Sequence, residues 1–286
     1  MQNDARELNP GRADFWEDFY DPEGGRLQKK ELRNRRAREI VEHGSLMDHY
    51  EWFMEYPLYE DALKSCLQTM STMLSSNGPT RILHVGCGNS DFCDHAEGII
   101  SGLRCISSSS SRVSEVLNID INRNIITHLA HRFPERLYAV GNCCDLNVSP
   151  SRSSSLLNDA PWYIRDTTLG LCTIRQSSVD IVLDKGTADA LLSSFAGDYN
   201  PNMEAYMGEM LKVLRPGGVL FLISINSEDV LNPYVLAAED ELKSFQLRYT
   251  NVIQLGVQEL QHLRVETLGS RYCCYGYAVV VSGTSE

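Results

Sequence analysis

Several features that define common protein classes are missing from this sequence of 286 residues. No two of its nine cysteines have the C-x-x-C spacing of zinc-binding motifs, and a disulfide framework is not expected in a chain long enough to build a core. The first residues contain no apolar stretch, so no secretory signal is predicted. The longest strongly apolar run, 219–225, is too short to cross a bilayer. We therefore expect reduced thiols and a cytoplasmic protein, with a nuclear location left open.

Positive charge is also scarce. The chain has 26 lysine and arginine residues against 38 aspartate and glutamate residues, which gives a formal net charge of −12. An acidic surface repels a phosphate backbone, so nucleic-acid binding is disfavoured as the main function. Residues 26–38 are an exception, because they carry seven basic residues and one acidic residue. Such a run is usually a solvated helix face, although contact with RNA or an acidic substrate is an alternative.

The hydrophobic pattern changes near residue 79. Residues 1–78 are partly helical and rich in aromatic and acidic residues, with an amphipathic helix before the breakers at 75–79. Beyond them, short apolar runs alternate with helical stretches, which predicts an α/β fold with a mostly parallel sheet and helices on both faces. We predict one Rossmann-like domain at 79–286, with 1–78 as a helical and aromatic lid that belongs to it.

The predicted strands are short and apolar. They cover residues 81–85, 116–121, 137–141, 179–183 and 219–225, followed by two closing strands at 263–268 and 277–281. Helices are predicted at 124–132 and 202–214. Two connections, at about 105–115 and 147–178, are long enough to be insertions, and both contain serine-rich stretches.

Chemically informative residues follow the predicted strands, where open parallel sheets bind their ligands. Gly86 and Gly88 come directly after the first strand and would let a ligand approach the backbone. The G-x-G-x-x-G dinucleotide pattern is incomplete, because Asp91 occupies the third glycine position. Asp120 ends the second strand, where a carboxylate can accept hydrogen bonds from both hydroxyls of a ribose. The alternative for Asp120 is a surface aspartate or a helix cap.

Acidic residues also follow the third and fourth strands. Asp145 could accept a hydrogen bond from an adenine amino group, or it could be an ordinary loop residue. Asp184 and Lys185 directly follow the fourth strand and would face the same crevice, where they could contact a cofactor or a substrate. The alternative for this pair is a surface ion pair in which the aspartate caps a helix.

Four motifs and two aromatic elements carry a resemblance to a known family. They are G-C-G-N-S at 86–90, N-I-D-I at 118–121, D-K-G-T-A-D-A-L-L at 184–192, R-P-G-G at 215–218, and the aromatic elements at 16–20 and 51–53. In this respect the chain resembles the seven-stranded S-adenosylmethionine-dependent methyltransferases. Among them, it is similar to the methyltransferase-like family that includes the lysine methyltransferases of elongation factor 1-alpha. The resemblance implies a seven-stranded sheet with an antiparallel final strand.

The resemblance also implies S-adenosyl-L-methionine as the cofactor and assigns cofactor-binding roles by position. The implied residues are Trp16, Tyr20 and Trp52 as an aromatic lid, Gly86 and Gly88 beside the methionyl and ribose groups, Asp120 and Ile121 at the ribose and adenine, Asp145 and Leu146 flanking the adenine, and Lys185 near the cofactor. Aromatic faces attract a sulfonium cation. Without the resemblance, ordinary packing would be the preferred interpretation of these aromatic residues.

The implied reaction is methyl transfer to a lysine side chain of a protein such as elongation factor 1-alpha. Because Asp184 directly follows the fourth strand, we predict that it orients the incoming amine. Such a reaction depends on alignment and on exclusion of water. Two alternatives remain, a methyltransferase for small molecules and a non-catalytic S-adenosylmethionine-binding scaffold. No metal and no membrane are expected. The acid that usually precedes the first glycine is replaced by His84, and the connections at 21–51 and 147–178 are longer than in the family.

Overall fold

A computed structural model describes residues 13–21, 59–71, 79–104, 114–146, 162–165, 172–193, 199–244, 249–253, 265–267, 270–272 and 275–283. Trp52, the basic run at 26–38 and the serine run at 107–111 lie outside these ranges. Within them, no helix combines the length and the apolar character needed to span a membrane.

Strands and helices alternate along most of the described chain. In order, they are α1 (Ala13–Phe19), α2 (Glu60–Ser71), β1 (Thr80–Val85), α3 (Phe92–Arg104), β2 (Ser114–Asp120), α4 (Arg123–Arg132), β3 (Leu137–Val140), β4 (Tyr163–Arg165), β5 (Cys172–Ile174), β6 (Val179–Lys185), α5 (Thr187–Ser193), α6 (Pro201–Val213), β7 (Leu214–Ser224), α7 (Glu228–Ser244), β8 (Tyr249–Ile253), β9 (Val265–Thr267), β10 (Ser270–Tyr272) and β11 (Tyr275–Gly283).

Seven strands form one sheet in the order β3-β2-β1-β6-β7-β11-β8. The pairs β3–β2, β2–β1, β1–β6 and β6–β7 are parallel, whereas β11 is antiparallel to both of its neighbours. The predicted seven-stranded sheet with an antiparallel final strand is therefore confirmed. The chain reverses its direction of winding between β1 and β6, which is where open sheets of this kind hold their ligands.

One predicted strand is wrong. Residues 263–268 were expected to close the sheet. Among the described strands, β9 pairs with β10 in a separate hairpin instead, and β8 occupies the sheet edge. Strand β8 has the sequence Y-T-N-V-I, in which polar residues interrupt the apolar ones. An edge strand has a single neighbour and needs no continuous apolar run. Strand β8 therefore lacks the pattern that predicts the central strands.

The central strands bury both faces of the sheet, because successive side chains point to opposite sides. On one face, Val182, Leu220 and Leu222 pack with residues of α6 and α7. On the other, Ile181, Leu183, Val219 and Phe221 pack with residues of α2 and α3. The predicted helical cover on both faces is confirmed, and it leaves the carboxyl ends of the strands as the place for a site.

His84 is buried in this core and makes the stability of the protein depend on pH. Its Nδ1 atom lies 3.0 Å from the Asn118 side-chain oxygen. Burial lowers the pKa of His84 from 6.5 to about 4. Between these values the unfolded chain binds a proton that the folded protein excludes, so stability falls as the pH drops through this window. The His84 contribution should reach about 3 kcal/mol at most.

We therefore expect the free energy of unfolding to fall more steeply between pH 6.5 and 4 in the wild type than in His84→Gln, which cannot titrate there. Urea unfolding at several pH values measures this difference, and the variant serves as the reference for all other titrating groups. Parallel pH profiles for the two proteins would contradict the prediction.

Candidate functional site

A cavity of about 240 Å³ lies at the carboxyl ends of β3, β2, β1, β6 and β7. Its lining residues are Ala13, Trp16, Tyr20, Gly86, Gly88, Asp120, Ile121, Gly141, Asn142, Cys143, Lys185, Gly186, Thr187, Asp189, Ala190, Leu191, Ser193 and Ile225. Seven of the residues predicted from the sequence are among them, namely Trp16, Tyr20, Gly86, Gly88, Asp120, Ile121 and Lys185. The structure therefore brings most of the predicted site together.

The loop after β1 forms the floor of the cavity and needs glycine at two positions. Gly86 and Gly88 have φ angles of 53° and 48°, in the left-handed region that side chains other than glycine rarely adopt. A Cβ atom on Gly86 would overlap the Thr187 hydroxyl, and one on Gly88 would lie 2.7 Å from the Tyr20 hydroxyl. Neighbouring groups thus pack directly against the bare backbone of this loop.

Asp120 lies at the end of β2 and is fixed by the same loop. Its Oδ2 atom accepts a hydrogen bond from the Gly88 N–H at 2.9 Å, and its Oδ1 atom accepts one from the Asn122 N–H at 2.8 Å. Burial raises the pKa of Asp120, while these backbone donors lower it. Each oxygen has a further lone pair, so the carboxylate could accept hydrogen bonds from two adjacent hydroxyls. This geometry fits a ribose.

Helix α1 covers the glycine loop with aromatic side chains. The rings of Trp16 and Tyr20, one helical turn apart, are stacked with centroids separated by 6.1 Å. Tyr20 is buried, and it clusters with Phe19, Cys87 and Ile125. The described part of the predicted lid thus lies against the cavity, where aromatic rings could face a sulfonium.

Lys185 also lines this cavity. Its Nζ atom lies 5.4 Å from the ring centroid of Tyr59 and 5.8 Å from that of Phe92, which are distances at which a cation and an aromatic face attract. Burial lowers the pKa of Lys185 to about 7. A carboxylate bound in the cavity would favour the charged ammonium form, so Lys185 could hold the carboxyl group of a cofactor.

Asp184 lies in the core rather than at the cavity. This side chain is fully buried and does not line the cavity. It caps α5 by accepting hydrogen bonds from the Thr187 N–H at 2.7 Å and the Ala188 N–H at 3.0 Å, and it also accepts one from the Tyr206 hydroxyl at 2.6 Å. Burial raises its pKa to about 7. Its oxygens are engaged inside the core, so this position does not support the predicted role of orienting an amine.

Asp145 and Leu146 also lie away from the cavity. A tight turn in which the Asp145 N–H donates to the Asn142 carbonyl at 3.0 Å leaves the Asp145 side chain exposed. Leu146 is buried in the core, and its N–H donates to the Glu209 carboxylate at 3.1 Å. The prediction that these two residues flank an adenine is therefore not supported by their positions, because the turn places Asn142 and Cys143 at the cavity instead.

Two polar residues of the quoted D-K-G-T-A-D-A motif, Thr187 and Asp189, line the cavity although the sequence analysis gave them no role. The Thr187 hydroxyl donates to the Val85 carbonyl at 3.1 Å and so ties α5 to the end of β1. Asp189 is buried, and its Oδ1 atom accepts hydrogen bonds from the Ser224 hydroxyl, the Ile225 N–H and the Asn226 side-chain amide at 2.8, 3.0 and 2.6 Å. The T-x-D-A pattern could have indicated Asp189, but Asp184 was preferred because it directly follows the strand.

Comparison with known proteins relates this chain to methyltransferases. Over 268 residues it is 26% identical to the mitochondrial citrate synthase-lysine N-methyltransferase of Danio rerio, a match that covers 94% of this chain and 84% of that protein. Over 236 residues it is 25% identical to the eEF1A lysine and N-terminal methyltransferase of Danio rerio, and here the match covers 82% of this chain and 24% of that longer protein. The chain is a homologue of these lysine methyltransferases.

This homology confirms the predicted resemblance and the predicted enzyme class. No protein-family model matches this chain. Among solved structures, an S-adenosylmethionine-dependent methyltransferase from Clostridium acetobutylicum aligns with a TM-score of 0.43 and 9% identity, covering 90% of this chain and 98% of that one.

Proposed function

We propose that this protein is an S-adenosylmethionine-dependent methyltransferase that methylates a lysine side chain of another protein. The observation that carries the proposal is the cavity across five strand ends, in which Asp120 is held by the Gly88 N–H beneath the aromatic rings of α1. The relatives are named for methylation of lysine in proteins, which supports both the reaction and a protein substrate.

The residues present fit this cofactor. Asp120 would hold the ribose hydroxyls, while Asn142 and Cys143 would border the adenine at the ends of β3. Lys185 would pair with the cofactor's carboxylate, and Trp16 and Tyr20 would cover the sulfonium. When bound, S-adenosylmethionine supplies a methyl group on a positively charged sulfur that is a good leaving group.

The chain's own contribution is alignment and the exclusion of water. The glycine loop would hold the ribose beside Asp120, and the aromatic rings of α1 line the same cavity. A lysine amine that enters in line with the methyl–sulfur bond would react without competition from solvent. The amine must first lose its proton, because an exposed lysine has a pKa near 10.4.

For the acceptor we propose elongation factor 1-alpha, in the cytoplasm, with citrate synthase as the competing substrate because the relative that covers 94% of this chain is a citrate synthase-lysine methyltransferase of mitochondria. The net charge of −12 supports a partner with a basic surface around the target lysine. If the two surfaces attract each other in this way, methylation should weaken as salt is raised.

The proposal predicts that radiolabelled methyl groups pass from S-adenosylmethionine to purified elongation factor 1-alpha. Unmethylated citrate synthase is assayed in parallel, and mass spectrometry locates the labelled residue. Label in citrate synthase alone would identify citrate synthase, rather than elongation factor 1-alpha, as the substrate. In a cell lysate, label confined to small molecules would favour a small-molecule methyltransferase. No label in any fraction would favour a non-catalytic scaffold.

Asp120→Ala should weaken S-adenosylmethionine binding by about 100-fold, because two hydrogen bonds from the ribose to a charged acceptor are lost. In the wild type, cofactor at 100 times its Kd should add about 2.7 kcal/mol to the free energy of unfolding. Asp229→Asn is the matched control, because it removes the same charge from an exposed position on α7. It should bind S-adenosylmethionine as the wild type does. Equal stabilisation of the wild type and Asp120→Ala would contradict the cofactor assignment.

A further inference from the structure

The two carboxylate oxygens of Asp189 differ in their hydrogen bonds to the protein. Its Oδ1 atom accepts three hydrogen bonds from residues 224–226 at the end of β7. Its Oδ2 atom is buried and has no hydrogen-bond partner among the residues that the structure describes. A buried carboxylate oxygen without a donor is costly, so it calls for a donor from a water, an ion or a ligand, or for a catalytic role.

The position of Asp189 in the fold indicates which ligand group this is. Asp120 ends β2, and the residues that hold Asp189 end β7, three strands further along the order β2-β1-β6-β7. Neighbouring strands lie about 4.8 Å apart, so the two carboxylates stand roughly 14 Å from each other across the cavity. A cofactor whose ribose lies at Asp120 would extend over β1 and β6, and its reactive end would point towards Asp189.

The surroundings of Asp189 suit the aliphatic stem of a lysine. Ala190, Leu191 and Ile225 line this end of the cavity, and Ile225 is 43% exposed, which places it at an opening to solvent. Apolar side chains beside a buried carboxylate are the complement of a long alkyl chain that ends in an amine. Burial also raises the pKa of Asp189, which makes the carboxylate a better proton acceptor.

We propose that Asp189 is the residue that binds the acceptor amine, with Oδ2 as the hydrogen-bond acceptor for the lysine nitrogen. This inference rests on the proposed function and deepens it. The ammonium gives one proton to the Asp189 carboxylate or to water. The nitrogen lone pair then forms a bond to the methyl carbon while the carbon–sulfur bond breaks, and its electron pair stays on sulfur. The products are a methylated ammonium and a neutral thioether.

The informative substitution is Asp189→Asn. The amide oxygen can still accept the three hydrogen bonds at the end of β7, so the fold should be kept. The amide nitrogen takes the place of Oδ2, and as a hydrogen-bond donor it cannot accept a hydrogen bond from an amine. We expect an unfolding midpoint close to the wild-type value, because the three hydrogen bonds are kept and a buried negative charge is removed while a buried amide nitrogen is left without an acceptor. Asp229→Asn is again the control for the loss of one charge.

The measurement compares the binding of two adenosine compounds by calorimetry. One is S-adenosylhomocysteine, and the other is a bisubstrate analogue that carries an aminoalkyl arm where S-adenosylmethionine carries its methyl group. The wild type should bind the analogue about tenfold or more tightly than S-adenosylhomocysteine, because the arm adds a charge-assisted hydrogen bond. Asp189→Asn should abolish this gain and leave S-adenosylhomocysteine binding unchanged.

Three results would overturn the proposal, and they are distinguishable. If the analogue keeps its advantage in Asp189→Asn, the amine is bound elsewhere while the proposed function stands. If the variant weakens both compounds equally, Asp189 binds the cofactor's own amino group. If the wild type binds neither compound, the proposed function fails and this inference fails with it.

Discussion

Asp184→Ala is expected to lower the free energy of unfolding by about 4 kcal/mol. The substitution removes the acceptor of three hydrogen bonds in the core and leaves the Thr187 N–H, the Ala188 N–H and the Tyr206 hydroxyl without partners. Each unsatisfied buried donor costs about 1–3 kcal/mol, and the loss of the helix cap contributes within that sum. For a domain of this size the melting temperature should fall by roughly 10 °C.

Tyr206→Phe is the matched control, because it removes one of the three donors and leaves the carboxylate and the cap of α5 in place. We expect a smaller loss, about 1–2 kcal/mol. Chemical unfolding of the three proteins followed by circular dichroism provides the comparison. A fully stable Asp184→Ala protein that binds cofactor but transfers no methyl groups would restore Asp184 as the residue that orients the substrate.

Most of the sheet could be predicted because buried parallel strands have a distinctive sequence. Strands β1, β6 and β7 are apolar on both faces, and their runs stand out from the amphipathic helices between them. The edge strand β8 lacks this signature, since its pairing depends on the neighbouring β11, which lies more than twenty residues further along the chain. Contacts between distant segments of this kind leave little trace in a local pattern.

The candidate site was predictable where a strand end alone decides the position of a residue. Gly86, Gly88 and Asp120 follow β1 and β2 directly, so the parallel sheet places them at one edge. The two acids of D-K-G-T-A-D were harder to separate. Whether Asp184 or Asp189 faces the cavity depends on which carboxylate caps α5 and which one reaches residues 224–226 of β7. That choice is made by packing across the sheet.

A turn at residues 142–145 determines where Asp145 and Leu146 lie. The chain folds back between Asn142 and Asp145, so the acid at the end of this motif is carried out to solvent. The amide of Asn142 reinforces the turn by accepting a hydrogen bond from the Cys144 N–H at 3.0 Å. An Asx turn of this type is compatible with the sequence, but it competes with an extended chain of similar composition.

Gly86→Ala is expected to lower the free energy of unfolding by about 3 kcal/mol and to weaken cofactor binding at the same time. Roughly 1–2 kcal/mol comes from the left-handed backbone at φ 53°, and the rest comes from overlap of the new Cβ with the Thr187 hydroxyl. The hydroxyl cannot rotate away without losing its hydrogen bond to the Val85 carbonyl. Thermal unfolding with and without S-adenosylmethionine measures both effects.

Gly98→Ala is the control, because Gly98 is exposed within α3 and a Cβ there would meet nothing within 4 Å. That substitution should stabilise the protein by about 0.5–1 kcal/mol, since alanine favours a helix more than glycine does. Thr187→Ala should also cost less in the Gly86→Ala protein than in the wild type, because the two side chains compete for one space. If the two costs are equal, the contact with Thr187 is not what requires glycine at position 86, and backbone conformation alone must explain the loss.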